Sequence, residues 1–316
     1  MKTPAKSTFI DEVRESGRTI VASVSGGKDS TAMVLYLKEQ EIERTNPIHY
    51  VWANTVWEAP ELYDYIETTL KPLCGENFHE VRNPKYPGGM ADLVRHKGAF
   101  ASRLMRFCTE NLKTTPIKNF IKSLELPPDQ LCINAVGIRA AESKARSQMM
   151  EYEPGSILAK NLVEYTWRPL IHYTVQDVVD LHTRTGTKPC NLYLQNNGVK
   201  RIGCFPCTLS SKAEIKKIST EYPEIIDRIE LLEKEVAEIA EIKRPDRPNK
   251  TPPTFFQAKT GGKGECWPIR KVAAWSQTSN HGSGRGHQYD LFAAEPEEAG
   301  CMMFGLCEHD LGEQNR

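Results

Sequence analysis

Residues 23–37 read SVSGGKDSTAMVLYL and join an apolar run to a helical pattern through two adjacent glycines. The run that leads into them, TIVASV at residues 19–24, is rich in β-branched side chains, which is typical of a strand buried on both faces. Residues 31–40 have helix-forming composition, with apolar side chains at positions 33, 34 and 37. This stretch therefore predicts a strand, a glycine loop and a helix in direct succession.

The same alternation of strand and helix patterns continues toward residue 215. Strand patterns occur at 48–56, 78–82 and 131–138, and helical patterns at 60–70, 115–124 and 174–185. The last helical pattern has a threonine at position 174 to cap it and a glycine at position 186 to end it. Strands that alternate with helices indicate βαβ units, so we predict an α/β fold with a mostly parallel sheet.

The composition changes after residue 207. Residues 221–243 place apolar side chains at helical spacing against a charged remainder, which predicts an amphipathic helix that packs on its own chain or on a partner. Residues 245–286 are repeatedly interrupted by Pro, Gly, Ser and Asn, which predicts a long irregular loop. The expected aromatic anchors of that loop are Phe255, Phe256 and Trp267. We therefore predict a first domain over residues 1–215 and a C-terminal region over residues 216–316 that packs on it.

Composition and charge narrow the functional classes. The 316 residues are 39% hydrophobic. Because 41 Lys and Arg balance 41 Asp and Glu, the chain has no net positive charge that would attract a polyanion. The first 18 residues lack an apolar signal-peptide core, and no segment approaches the about 20 apolar residues of a membrane helix. We expect a cytoplasmic protein without a membrane partner. Structural disulfides are rare in that compartment, so some of the nine cysteines are expected to bind metal or serve redox chemistry.

The glycine loop has the residue types of an anion site. Gly26 and Gly27 let the backbone approach a ligand closely, and the following helix directs its unpaired N–H groups into the same space. Lys28 adds a positive charge, and Ser25 and Ser30 add hydroxyl donors. An aspartate follows the lysine, so the loop is not a Walker A motif. The pattern predicts a site for phosphate or sulfate.

Several stretches are collinear with one known family. They are SGGKDS at 25–30, NTVWEAPE at 54–61, GIRAAES at 137–143, PL and TVQDV within 169–178, and RIGCFPCT at 201–208. Together they resemble the phosphoadenosine phosphosulfate (PAPS) reductase branch of the PP-loop, or adenine nucleotide α-hydrolase, superfamily. One departure is Val56, which stands where that branch has a glycine.

The resemblance implies a doubly wound, Rossmann-like sheet with an adenine nucleotide, ATP or PAPS, at the carboxyl ends of the strands. The pyrophosphate or sulfate group is then expected on loop 25–30. Lys28, Asp29 and Ser30 become the expected catalytic residues: Lys28 neutralises developing charge, Asp29 helps to position Mg²⁺, and Ser30 donates its hydroxyl.

The resemblance also assigns residues from two other strands. Asn54 and Thr55 follow the second strand and are expected near the base or ribose. Gly137 and Arg139 follow the fourth strand and are expected to approach the nucleotide, with Arg139 binding its anion. An ion pair between Arg139 and Glu142 is the alternative role for this arginine.

The cysteine pattern carries a second expectation. Cys204 and Cys207 form a C-x-x-C pair, and Cys108 lies in an R-F-C-T stretch similar to that of iron–sulfur members of the branch. A tetrathiolate needs a fourth ligand, for which Cys301 and Cys307 are the candidates. Such a set holds a [4Fe–4S] cluster or zinc, with the cluster favoured by the resemblance. The alternative is a lone redox pair with Cys108 buried as a packing residue. Packing roles are expected for the cysteines in apolar or loop contexts, Cys74, Cys132 and Cys190.

The resemblance leaves three chemistries open. Assimilatory reductases carry a tail motif ECGLH, whereas residues 305–309 read GLCEH, and iron–sulfur reductases have a Cys-Cys pair where this chain has Phe107 and Cys108. The cysteine pattern is more similar to the DndC-like and SspD-like ATP pyrophosphatases of DNA phosphorothioation, which implies a cysteine desulfurase and partner proteins that deliver DNA. The alternatives are a PAPS or adenosine phosphosulfate reductase with Cys307 as nucleophile, and a nucleotide sensor without turnover. The sequence makes no prediction of oligomeric state.

Overall fold

The structure of this protein is a computed structural model that describes residues 9–102, 104–155, 162–194, 199, 201–246, 251–256 and 266–278. It contains one six-stranded sheet. The strands are β1 Ile20–Val24, β2 Ile48–Ala53, β3 Phe78–Val81, β4 Cys132–Val136, β5 Tyr152–Pro154 and β6 Val163–Trp167. Their order across the sheet is β3-β2-β1-β4-β6-β5, and every neighbouring pair is parallel except β5 with β6.

Helices connect the strands and form the C-terminal region. They are α1 Ile10–Ser16, α2 Lys28–Glu39, α3 Pro60–Tyr65, α4 Lys71–Cys74, α5 Met90–Lys97, α6 Phe107–Thr109, α7 Thr115–Ser123, α8 Val175–Thr185, α9 Lys212–Glu221, α10 Pro223–Lys243 and α11 Ile269–Ser276. Two π-helical segments, Ile66–Leu70 and Glu110–Thr114, continue α3 and α6. Short 3₁₀ turns lie at Ile42–Arg44, Gly75–Asn77, Ala140–Glu142, Arg146–Gln148 and Asn191–Tyr193.

Helices cover both faces of the sheet, as expected for a doubly wound fold. Successive strand residues point to opposite faces, so Val21 and Val51 pack with Ile117 and Ile121 of α7 on one face. Ile20 and its neighbours on the other face join the larger core, which includes the buried side of α2. The strand order reverses between β1 and β4, and ligands in such sheets bind at the carboxyl ends of the strands flanking that reversal.

Three predicted boundaries need correction. Helix α2 begins at Lys28 instead of position 31, because Gly27 is its extended N-cap with φ −73° and ψ 155°. Strand β2 ends at Ala53 instead of position 56, because Val56 has a left-handed φ of 54° that no strand contains. The predicted irregular loop at 245–286 contains helix α11, whose first N–H, that of Ile269, is bound by the Glu233 carboxylate. The patterns at α1, α5, α9, β5 and β6 were too short or too polar to predict these elements.

Helix α10 packs on its own chain, as its apolar pattern predicts. Its buried residues Ile229, Leu232 and Val236 join the same core as the sheet. The buried Glu233 carboxylate accepts the N–H of Phe255 at 2.8 Å and the N–H of Ile269 at 2.9 Å. These two hydrogen bonds hold the segment around Phe255 and the start of α11 against α10. Phe255 and Phe256 are buried as expected, whereas Trp267 is half-buried. The division into domains at residue 215 stays a prediction.

Within the described part of the chain, no helix combines the length and the hydrophobicity needed to span a bilayer.

Candidate functional site at the carboxyl edge of the sheet

The loop between β1 and α2 is shaped by a left-handed glycine. Gly26 has φ 71°, and a Cβ placed there would lie 2.5 Å from Cδ1 of Leu62. Both the backbone conformation and the close packing of α3 therefore require glycine at this position. The next residue, Gly27, is extended and starts helix α2, so the helix N-terminus opens directly onto the loop.

Two serines brace this loop from within. The Ser30 hydroxyl accepts the N–H of Ser25 at 3.1 Å and donates to the carbonyl of Gly27 at 3.0 Å. The Ser25 hydroxyl lies 3.0 Å from the Ser30 hydroxyl and accepts the N–H of Gly27 at 3.4 Å. The predicted hydroxyl donors thus already hold the loop in shape. Among the described residues, the N–H groups of Gly26, Asp29 and Ser30 have no hydrogen-bond acceptor.

Lys28 and Asp29 form a charged pair in the first turn of α2. The Lys28 Nζ lies 3.3 Å from Asp29 Oδ2 and 5.4 Å from the ring centroid of Tyr193. The Lys28 N–H donates to the Tyr193 hydroxyl at 3.2 Å. Burial, and then the charge of Asp29, raise the pKa of this tyrosine, so its hydroxyl is neutral. Tyr193 therefore holds the N-terminus of α2 with a neutral acceptor.

Arg139, which follows strand β4, contacts the same carboxylate of Asp29. Its Nε lies 2.5 Å from Asp29 Oδ1, and its side chain has no exposed surface. Its backbone N–H donates to Glu142 Oε2 at 2.9 Å, while the carboxylate of Glu142 also pairs with the side chains of Arg146 and, at 3.7 Å, Arg201. Arg139 is thus buried against Asp29 and acts on the loop through it. The alternative role of Arg139, a side-chain ion pair with Glu142, is replaced by a backbone contact.

Gly137 brings β4 against the first turn of α2. A Cβ at this position would lie 2.8 Å from the carbonyl oxygen of Asp29 and 2.9 Å from Cα of Ser30. Real Cβ atoms do not come so close to backbone, so glycine permits the contact. The predicted approach of Gly137 to the loop is thus present as a backbone contact.

Asn54 and Thr55 are buried, and their side chains brace the loop after β2. The Asn54 amide donates to Glu80 at 2.8 Å and accepts the N–H of Val56 at 2.8 Å. The Thr55 hydroxyl donates to Glu58 Oε1 at 2.6 Å. Only 3% of Asn54 and 1% of Thr55 is exposed, so these side chains leave little surface for a base or ribose.

The three described candidate ligand cysteines converge beside this loop. The Sγ of Cys204 lies 3.8 Å from the Thr55 hydroxyl, and Cys204 forms a β-bridge with Glu58. Burial and the neighbouring Cys204 raise the pKa of the Cys108 thiol, and the same two causes raise the pKa of Cys207 to about 11. Cys204 also raises the pKa of the Lys113 ammonium, which stays positive beside the thiols. Cysteines from two distant parts of the chain therefore lie near enough to affect the pKa of one another's thiols.

These thiols do not form a preorganised metal centre in the described residues, where no group of three His, Cys, Asp or Glu side chains is arranged to hold a metal ion. The two candidates for the fourth ligand, Cys301 and Cys307, lie outside the described residues. Cys74, Cys132 and Cys190 are buried with free thiols, consistent with the predicted packing roles.

A tryptophan connects the segment that carries Cys204 and Cys207 to the C-terminal region. Trp57 donates its ring N–H to the Pro206 carbonyl at 3.0 Å, and its own carbonyl accepts the N–H of Phe205 at 2.7 Å. On its other side the ring stacks on Phe255, and the Arg228 guanidinium of α10 lies 4.2 Å from the ring centroid. Neither Trp57 nor Tyr193 follows from spacing in the sequence, because their partners lie more than 100 positions away.

The sequence profile described as the phosphoadenosine phosphosulfate reductase domain matches residues 19–210. The chain belongs to this family. The match includes β1, the glycine loop, the strand ends that supply Thr55 and Gly137, and the Cys204–Cys207 pair, so the geometry above is that of the family domain. Helices α10 and α11 lie beyond the matched residues.

Related proteins are similar to this chain over different shares of its length. An uncharacterised 37.8 kDa protein of Escherichia phage 186 is 30% identical over 341 aligned residues, covering 91% of this chain and 96% of the phage protein. Two uncharacterised proteins of Methanocaldococcus jannaschii are 28% and 23% identical over 70% of this chain. In those two the match spans 42% and 49% of their own length, so this chain covers about half of each.

Solved structures give weaker likenesses. A phosphoadenylyl-sulfate reductase of Candida auris in complex with phosphate has a TM-score of 0.43 and 15% identity, covering 65% of this chain and 99% of that chain. The U34-tRNA thiolase NcsA of Methanococcus maripaludis, with its [4Fe–4S] cluster, has a TM-score of 0.36 and 15% identity, covering 75% and 78%. At these scores the assignment to the family rests on the sequence match.

Proposed function

We propose that this protein is a PP-loop enzyme that cleaves ATP between its α- and β-phosphates to activate an acceptor for sulfur transfer. An acceptor phosphate oxygen attacks the α-phosphorus, the bond from that phosphorus to the bridging oxygen breaks, and pyrophosphate leaves with the electron pair. A sulfur nucleophile at the sulfide level then attacks the acceptor phosphorus, a P–S bond forms, and the acceptor oxygen leaves with AMP and the electron pair of the broken P–O bond. The single observation that carries the proposal is the glycine loop at a helix N-terminus, where three N–H groups have no acceptor among the residues that the structure describes.

The charges around the loop support binding of a leaving pyrophosphate. Lys28 and Arg139 both face the carboxylate of Asp29, so two cations lie beside the loop. Their positive charge and the loop N–H groups stabilise negative charge that grows on the bridging oxygen. Because water is largely excluded around these side chains, the interaction is stronger than at an exposed surface.

The carboxylate of Asp29 does not fit the predicted role of Mg²⁺ ligand. Each of its two oxygens already faces a cation, Lys28 on one side and Arg139 on the other. A divalent ion at this carboxylate would meet two positive charges at short range. Mg²⁺ that enters with the nucleotide is instead expected on the phosphate oxygens, with water completing its coordination.

The donor chemistry of the cysteine site fits an iron–sulfur cluster. Cys108, Cys204 and Cys207 would hold it, with Cys301 or Cys307 as the fourth ligand, and zinc is the alternative metal. The positive Lys113 opposes the larger effect of burial, which raises the pKa of Cys108 and Cys207, and so would help to hold the thiolate forms that bind metal. Such a cluster would order the acceptor or pass sulfur. A nucleic-acid phosphate as acceptor, with a cysteine desulfurase and DNA-delivering proteins as partners, belongs to the same proposal.

The second candidate function is a sulfonucleotide reductase that releases sulfite. It is favoured by the family match, whose profile is that of the PAPS reductase domain. The tail cysteine Cys307, its proposed nucleophile, lies outside the described residues.

An assay with two substrates separates these functions. The full-length protein, purified and reconstituted without oxygen, is incubated with ATP, and separately with PAPS or adenosine phosphosulfate plus reduced thioredoxin. Release of pyrophosphate from ATP supports the proposal. Release of sulfite overturns it in favour of the reductase, and nucleotide binding without turnover overturns it in favour of a sensor.

Two lysine variants control this assay. Lys28→Ala removes the ammonium beside the loop and is expected to lower pyrophosphate release at least a hundredfold, as for loss of one charge-stabilising group. Lys38→Ala removes a lysine from the same helix that is paired with Glu43 at 3.2 Å on the surface, so turnover should be retained. Equal turnover in both variants would contradict the assignment of the loop.

A further inference from the structure

The peptide groups on both sides of Lys28 are held by side chains from one later part of the chain. Tyr193 accepts the Lys28 N–H at 3.2 Å, and Nε2 of His182 lies 2.9 Å from the Lys28 carbonyl oxygen. His182 is 154 positions away in sequence, in helix α8, and belongs to none of the motifs discussed above. A side chain outside the motifs therefore touches the backbone of the proposed anion site.

The His182 ring is fixed at its second nitrogen as well. Nδ1 lies 2.9 Å from the carbonyl oxygen of Thr187, and only 2% of the residue is exposed. The Thr187 N–H in turn donates to the His182 carbonyl at 3.0 Å, where the chain turns at Gly186 and α8 ends. A carbonyl oxygen only accepts, so a ring nitrogen bonds to it only where that nitrogen carries a hydrogen. With that hydrogen on Nε2, the ring donates to the Lys28 carbonyl. The ring position is thus set by the rigid end of α8.

The contact of His182 with the Lys28 carbonyl also affects the next backbone N–H group, which belongs to Asp29. The carbonyl of Lys28 and the N–H of Asp29 belong to one planar trans peptide and point in opposite directions. A donor to this carbonyl therefore adds to the helix geometry in fixing the direction of the Asp29 N–H, and it also polarises that group. The Asp29 N–H is one of the three loop donors without an acceptor in the described part of the chain.

We propose that His182 is a positioning residue for the oxyanion site, which it serves by aiming the Asp29 N–H at the bound phosphate or pyrophosphate. This inference rests on the proposed function, because it assumes that loop 25–30 binds an oxyanion. His182 does not touch that ligand. It acts through the peptide between Lys28 and Asp29.

Three variants of the full chain test the role. His182→Leu keeps an apolar side chain of similar width but has no donor, whereas His182→Gln keeps an N–H that reaches a carbonyl. Thr183→Val removes a hydrogen bond of the same helix, from the Thr183 hydroxyl to the Val179 carbonyl at 2.9 Å, without touching α2. Pyrophosphate binding is measured by calorimetry at a temperature where all three variants are folded.

The affinity for pyrophosphate is expected to fall only where the side chain at position 182 can no longer donate a hydrogen bond to the Lys28 carbonyl. His182→Leu should bind pyrophosphate about tenfold more weakly than the wild type, and His182→Gln should stay within about threefold. Thr183→Val should bind as the wild type does, even if it unfolds at a lower temperature. Wild-type affinity in His182→Leu, or an equal loss in Thr183→Val, overturns the role of His182.

A second measurement does not depend on ligand binding. The ¹⁵N-labelled protein without ligand reports the Asp29 amide directly, and His182→Leu should shift its proton resonance and speed its exchange with solvent, whereas Thr183→Val should do neither. An unchanged Asp29 amide in His182→Leu overturns the inference. If the Asp29 amide changes as expected but the wild type binds no pyrophosphate, the contact with the Asp29 peptide is upheld, the proposed function fails and the oxyanion role of His182 fails with it.

Discussion

The Nε of Arg139 lies 2.5 Å from Oδ1 of Asp29, and the arginine side chain is completely buried behind the glycine loop. The second oxygen of Asp29 faces Lys28 Nζ at 3.3 Å. One carboxylate thus compensates two cations that come from different elements, the strand end after β4 and the first turn of α2. This arrangement keeps the cations beside the loop without leaving either of them buried alone.

Asp29→Asn should destabilise the protein by about 3 kcal/mol, because it removes the carboxylate that pairs with the buried Arg139. Urea unfolding followed by circular dichroism measures the effect. Glu67→Gln, which removes an exposed carboxylate paired with Lys71, should change the free energy of unfolding by less than about 0.5 kcal/mol. Equal small effects in both variants would show that the pair with Arg139 does not form.

Gly137→Ala should push β4 away from α2, because its Cβ would overlap the Asp29 carbonyl and Cα of Ser30. The expected cost is about 1–3 kcal/mol of stability, together with weaker pyrophosphate binding. Gly203→Ala is the matched control, since a Cβ at Gly203 has no neighbour within 4 Å among the described residues. Thermal unfolding and calorimetric titration of both variants check the prediction, which fails if Gly137→Ala behaves like the control.

Val56→Gly should stabilise the protein by about 1 kcal/mol, because a β-branched residue with φ 54° is strained and glycine is not. The family resemblance already indicated a glycine at this position. Val136→Gly removes a half-buried valine at the end of β4, where the backbone is extended, and should destabilise instead. A loss of stability in Val56→Gly as large as in Val136→Gly would mean that side-chain packing outweighs strain there.

Cys204→Ala should abolish iron binding in protein purified without oxygen, since Cys204 is a proposed cluster ligand. Iron per chain and the visible absorption of the cluster measure the effect. Cys132→Ala replaces a buried cysteine of β4 whose thiol donates to the Leu162 carbonyl at 3.3 Å, and its iron content should match the wild type. Full iron in Cys204→Ala would remove this residue from the ligand set.

Arg184→Gln should make the stability of the protein less sensitive to acid. The Arg184 hydrogen bond holds the pKa of Glu39 below the ordinary value of a glutamate, so the pair stabilises the folded state above that ordinary pKa. The gain is lost as the pH falls through the lowered pKa. Because the pair is more than a third exposed, the difference at pH 7 should be below about 1 kcal/mol and should vanish in acid.

The control for this pair is Arg44→Gln, which removes an exposed arginine that contacts Glu41 within the same turn. Urea unfolding at several pH values should show little difference between this variant and the wild type. A difference for Arg184→Gln that grows toward low pH would contradict the direction of the Glu39 shift.

Local patterns predicted most elements of the matched domain. The strand and helix that flank the loop are confirmed, since β-branched runs and helical periodicity depend on residues a few positions apart. The start of α2 was predicted three residues late, because the loop motif also forms the first helical turn. Helix α11 was missed because Pro- and Gly-rich surroundings outweighed its short apolar pattern, and Glu233 stabilises it from α10.

The candidate site was predicted as a set of residues, but their contacts were not. The alternative role of Arg139, an ion pair with Glu142, gives way to a pair with Asp29, 110 positions away, while its expected contact with the nucleotide stays a prediction. Asn54 and Thr55 were expected to face the nucleotide, yet their side chains are used to brace the loop after β2. His182 gave no signal at all, because a lone histidine in an amphipathic helix has no pattern.

The sequence by itself determined the alternation of strands and helices from β1 through β4, the glycine loop at the start of α2, and the thiol pair at Cys204 and Cys207. Only the tertiary structure decided that Lys28, Asp29, Arg139, Tyr193 and His182 meet at that loop. The reason is physical: backbone preference and periodicity act between near neighbours in the chain. The partner of a buried charge or N–H group is instead set by the strand order of the sheet, which brings distant segments to one edge.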